Sequence, residues 1–93
     1  MKAQFGALLG LGLALTLSAA PVSADGFDKC TTVPKASWKP QADAEALAKT
    51  AGYDVRRSKI DGTCYEVYGV KDGKLYELFY NPADLKLMHT KAK

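Results

Sequence analysis

The chain has 93 residues, 13 of them basic and 10 acidic, with a single histidine and a formal net charge of +3. That length allows one small domain. The mild basicity is spread along the chain and broken by acids and apolar residues, which argues against a nucleic-acid surface.

Lys2, an uncharged Ala-, Leu- and Gly-rich run over residues 5–17, and the small-x-small triplet Val22-Ser23-Ala24 follow the three-part grammar of a secretory signal peptide. The apolar run is shorter than the roughly 20 residues a membrane-spanning helix needs, so the expectation is cleavage after residue 24, export to the periplasm or medium, and no membrane insertion afterwards. Cleavage removes 24 of 93 residues and leaves 69, a size at which folding buries only about 60% of the extended chain's surface. Two cysteines remain, Cys30 and Cys64. An even count in an oxidising compartment predicts a disulfide between them. A metal or redox pair would call for neighbouring ligands or C-x-x-C spacing, and neither is present.

Residues 25–37 show no period and contain Pro34, so they read as an extended arm pinned by Cys30, with the domain proper over residues 38–93. Trp38 is expected to close one end of the core. A helix is predicted over residues 41–51: Pro40 suits a first turn, Asp43 and Glu45 lie early where they favour the helix dipole, and Gly52 suits a stop. Ala44, Leu47, Ala48 and Ala51 form its apolar stripe.

After Gly52 the period changes to two. Strands are predicted over residues 53–60, 64–70 and 75–81, separated by turns at Asp61-Gly62 and Asp72-Gly73, a strong hairpin signal. A further turn at residues 81–84 leads to a short edge strand over residues 85–89. The fold class is therefore α+β, one helix on a three- to four-stranded antiparallel meander. A two-residue turn at Asp72-Gly73 pairs Val70 with Leu75, Tyr68 with Glu77 and Val67 with Leu78. One face then carries Tyr65, Val67, Gly69, Tyr76, Leu78 and Tyr80 without a charge and should take the helix, with Gly69 leaving room for close approach. The opposite face carries Cys64, Glu66, Tyr68, Val70, Leu75, Glu77 and Phe79. Tyr53 and Val55 differ in parity from Ile60, a conflict that a β-bulge near Arg56-Arg57 would resolve; otherwise one of the three is exposed or an arginine points inward.

Several stretches together resemble the PepSY domain family, in its small exported single-domain form: the opening Cys-Thr-Thr-Val-Pro-Lys-x-x-Trp at residues 30–38, Ala-Gly-Tyr-x-Val at 51–55, Asp-Gly-x-Cys-Tyr-Glu-Val at 61–67, Asp-Gly-Lys at 72–74 and Asn-Pro-Ala-Asp at 81–84. Where many relatives carry Thr-Gly before the last strand, this chain has Ala83-Asp84-Leu85-Lys86. The resemblance covers residues 30–88 and implies a helix on an antiparallel sheet without enzymatic activity. It also implies the company of such domains: propeptides of thermolysin-like metallopeptidases, where inhibition or chaperoning has been proposed, and membrane redox proteins. No catalytic residues carry over; Tyr65, Glu66, Val67, Gly73 and Pro82 match recurring positions.

The inventory of reactive groups is sparse. His89 stands alone, the serines and threonines have no base and orienter that the sequence suggests, and the Gly-rich segment lies in the leader. Glu66 and Glu77 share a face but read as charges on an open sheet. The expectation is a non-enzymatic interaction module without a cofactor, engaging another envelope or secreted protein through Tyr68, Val70, Leu75 and Phe79; an accessory role in envelope electron transfer or metal handling is the alternative. Two occupants compete for that face: a partner, or the chain's own arm, tied to Cys64 on the same side.

Overall fold

The structure is a computed structural model that describes residues 27–93; the expected signal peptide lies outside the described residues. A 3₁₀ turn at Lys35–Ser37 precedes helix α1 (Gln41–Thr50), followed by strands β1 (Asp54–Asp61), β2 (Cys64–Lys71), β3 (Lys74–Tyr80) and β4 (Leu87–Ala92). The strands form one antiparallel sheet in the order β1-β2-β3-β4.

The β2–β3 hairpin has the expected register: Val70 faces Leu75, Tyr68 faces Glu77 and Val67 faces Leu78. Asp72 and Gly73 both take positive φ, 53° and 79°, as a two-residue turn of the twist-matched kind requires. The preceding turn is shifted by one residue. Asp61 pairs with Cys64, so Gly62 and Thr63 form the loop. The expected bulge is present, with Val55 opposite Gly69, Arg57 opposite Tyr68 and Arg56 left over between them. Val55 and Ile60 thereby share the helix side of the sheet, although Ile60 stays 40% exposed.

Helix α1 starts one residue after Pro40, which is the cap and not the first helical residue, and ends at Thr50. Ala44 and Ala48 are fully buried against Tyr65, Val67, Leu78 and Tyr80. Leu47 and Ala51 depart from the expected stripe and are exposed. Part of the helix–sheet contact is polar instead: Gln41 Nε2 donates to Ser58 Oγ at 2.6 Å, and that hydroxyl donates to the Glu45 carboxylate. Trp38 closes the end of this core as expected, edge-on to Tyr65, while the Tyr65 hydroxyl donates to the Lys39 carbonyl at 2.5 Å. Gly69 does leave room, but for Tyr53: a Cβ there would sit 2.8 Å from the Tyr53 Cβ.

The last strand begins later and runs further than its composition suggested. Asn81 explains the delay. Its backbone N–H donates to the Lys86 carbonyl and its carbonyl accepts from Leu85 N–H, so residues 81–86 form a closed loop before pairing resumes. Leu85, at φ 64°, turns its side chain onto the core.

The arm crosses the opposite face. Cys30 and Cys64 are joined, 34 residues apart in sequence. Thr63 N–H donates to the Asp28 carbonyl at 2.9 Å, and the Asn81 side-chain amide donates to the Cys30 carbonyl at 3.0 Å. Gly62 is obligatory here, because a Cβ on it would lie 2.2 Å from the Asp28 carbonyl oxygen. Phe27 closes over Phe79, with ring centroids 5.6 Å apart, and stacks on His89 at 4.8 Å. The arm and the sheet thus enclose a second small core of Cys30, Cys64 and Phe79.

Two expectations follow from the two cores. Leu78→Ala and Phe79→Ala lie on opposite faces but should each cost about 2–5 kcal/mol in denaturant unfolding, since both side chains are buried; a cheap Phe79→Ala would mean that the arm does not cover it. Reducing the disulfide should lower the melting temperature while leaving the far-ultraviolet spectrum that of an α+β fold, with a stability loss of up to about 4 kcal/mol for a loop of this length.

Candidate functional site

The outer face of the sheet is organised in rows across the strands. Lys59, Glu66, Phe79 and His89 form one row; Arg57, Tyr68, Glu77 and Lys91 form the next. Carboxyl and aromatic groups occupy the two central strands, and the cations Arg57, Lys59 and Lys91 stand on the edge strands. From the arm, Phe27 packs on Phe79 and His89 of the first row. The arm stops short of the second.

The four residues expected to form an interaction surface are therefore divided. Phe79 is only 2% exposed beneath Phe27, so it belongs to the small core and not to an open surface. Tyr68 and Val70 are half-buried, and Leu75 is 39% exposed. Beside them lies a concavity of about 230 Å³ lined by Arg56, Arg57, Tyr68, Leu75, Glu77 and Lys93.

The bulge builds one wall. In a regular strand Arg56 and Arg57 would point to opposite faces; the extra residue between Val55 and Arg57 lets both line the same hollow. The Arg57 guanidinium lies 4.2 Å from the centre of the Tyr68 ring, a cation–π contact, while Arg56 pairs with Asp54 at 3.5 Å in solvent. The opposite wall comes from the chain's end. Lys93 N–H donates to the Leu75 carbonyl, and its ammonium pairs with the Glu77 carboxylate at 2.8 Å.

Glu66 and Glu77, expected on an open surface, are 3% and 8% exposed. They occupy the central strands, flanked by Tyr68 and by the Lys59 and Lys93 side chains that pair with them. Burial pushes the Glu66 carboxyl above its ordinary value, and the neighbouring Glu77 charge pushes the same way against the hydrogen bond from Tyr68 and the charge of Lys59. Glu66 Oε1 has no hydrogen-bond partner, and the Lys59 ammonium stands 3.8 Å from it. Glu77 is also raised by burial, but its hydrogen bond and ion pair with Lys93, with Glu66 as a further hydrogen-bond partner and Lys91 as a further charge, outweigh that and hold it below its ordinary value. The two neighbouring carboxyls are thus shifted in opposite directions.

Among the described residues, no group of three His, Cys, Asp or Glu side chains is placed to hold a metal ion, and no helix is long and apolar enough to cross a membrane. The architecture is that of a small α+β module with a helix on one face of a meander and a disulfide-pinned arm on part of the other. A family model described as peptidase propeptide and YPEB domain matches residues 8–91, and the chain belongs to this PepSY family. No curated protein and no solved structure matches it.

Arg56, Arg57 and Lys93 were missed as site residues. The bulge inferred from parity already implied that the two arginines could stand together; Lys93 required knowing that the last strand runs to residue 92.

The opposed carboxyls give a pH signature. A raised Glu66 value means that the folded chain holds the proton more tightly, so stability falls as pH rises from the ordinary glutamate value of 4.5 through the higher folded value. Glu77 acts in the other direction: its contribution is present above 4.5 and is lost as pH falls through its lower folded value. Glu66→Gln should remove the first effect. Its denaturant midpoint should exceed that of the wild type at pH 7, and the gap should close below about pH 4; parallel curves for the two proteins would contradict the assignment.

Proposed function

We propose that the mature chain is an exported, non-enzymatic protein-interaction module that engages a secreted or envelope peptidase and lowers its activity, and that it docks through the part of the outer sheet face the arm leaves open. The observation that carries this reading is the division of that face. The arm closes the Phe79 end by a covalent tie and aromatic packing, while the hollow beside Leu75 stays accessible. An exposed apolar group beside an aromatic ring, rimmed by charges, is the usual make-up of a recognition surface. Membership of a family described by its peptidase propeptides supports a peptidase as the partner class.

The test is a titration of the purified mature chain against a secreted metallopeptidase of the thermolysin type, reading hydrolysis of a peptide substrate. Activity should fall in a saturable manner. Leu75→Asp should raise the inhibitory concentration roughly ten-fold or more while leaving the unfolding midpoint close to that of the wild type. Peptidase activity indifferent to the chain, or a Leu75→Asp variant as potent as the wild type, would count against the proposal.

A further inference from the structure

We infer that the outer-face hollow is a carboxylate-recognition site that receives an acidic side chain of a partner polypeptide together with an adjacent apolar side chain. This rests on the reading of that face as the docking surface and names what it binds.

The first argument is the placing of cations. Two consecutive arginines reach one hollow only because of the bulge at Arg56, and Lys93 faces them across it. These cations are not equally committed. Lys93 is tied to Glu77 and Arg56 to Asp54, whereas among the described residues Arg57 lies within ion-pair distance of no acid and rests on the Tyr68 ring. A guanidinium stacked on an aromatic face keeps its N–H edge free and loses little rotamer freedom on meeting a planar carboxylate, which it can bind through two parallel hydrogen bonds.

The second argument is the rest of the lining. Tyr68 and Leu75 offer apolar surface directly beside the arginines, which suits a peptide side chain next to the acidic one. Glu77 lines the same hollow and is held as an anion by Lys93. A multiply charged phosphate would have to settle beside that carboxylate. A single carboxylate meets less repulsion, and Glu77 can accept from a peptide N–H of the same segment. Mixed lining of this kind fits a polypeptide better than a free phosphate or a phosphorylated headgroup.

The experiment uses the disulfide-intact mature chain and two short blocked peptides, Leu-Glu-Phe and Leu-Gln-Phe, each acetylated and amidated so that the central side chain is the only difference. Binding is followed by backbone and side-chain NMR shifts. The acidic peptide should move the resonances of Tyr68, Leu75 and Arg57 and bind roughly ten-fold more tightly than its neutral counterpart, the scale of one charge-assisted bidentate pair. Arg57→Gln should abolish that preference, and Arg56→Gln should reduce it. Equal affinity for the two peptides overturns the inference. So does an absence of shifts in the hollow at millimolar peptide, or displacement of the acidic peptide by inorganic phosphate at comparable concentration. The two levels of the reading fail separately. If Leu75→Asp weakens peptidase inhibition but the peptides bind alike, the docking face stands and carboxylate recognition falls. If the acidic peptide is preferred but Leu75→Asp inhibits like the wild type, the carboxylate site stands and the docking role falls.

Discussion

The two-residue turn at Asp72-Gly73 sets the parity on which the rest of the molecule depends. With Lys71 opposite Lys74, every odd residue of β2 and every even residue of β3 faces the helix, and every other one faces away. A slip of β3 by one residue would carry Leu78 into water and turn Glu77 toward Ala44 and Ala48. Because the turn admits only residues that tolerate positive φ, the choice of register is made locally and inherited by the neighbouring strands. The bulge in β1 and the covered end of the outer face are both answers to that choice.

Much of this architecture was legible in the residues. The Asp-Gly turn signalled the central hairpin, and the clash of parity between Val55 and Ile60 marked the place of the bulge. What escaped had a different physical origin. Leu47 is exposed because α1 meets β1 partly through Gln41, Ser58 and Glu45, and no apolar period announces a polar contact. β4 starts late because the Asn81 backbone bonds to residues 85 and 86, a loop closure that composition alone cannot reveal. The candidate site was half legible for a related reason. Tyr68, Val70 and Leu75 follow from alternation, but the burial of Phe79 depends on where an aperiodic arm comes to rest, and that of Glu77 on Lys93 folding over it.

The two sides of the sheet use different means to exclude water. On the helix side, small alanines let α1 approach a layer of tyrosine, valine and leucine side chains. On the arm side there is too little chain for a layer, and a disulfide, an aromatic lid and hydrogen bonds to Thr63 and Asn81 do the work. A domain of this size gains only a modest core from either side alone. Closing the arm also covers Phe79, while the end of the sheet beside Leu75 remains open.

The position of the covalent tie has a mechanical consequence. Tension entering from the arm does not travel along residues 31–63; the bridge hands it directly to Cys64, at the head of an interior strand. The 3₁₀ turn, α1 and β1 are thereby bypassed and bear none of the load. If the other end of the chain is pulled, the force leaves through β4, an edge strand held by one neighbour only. In a pulling experiment β4 should therefore peel first, taking Lys93 and one wall of the hollow with it while both cores remain largely intact.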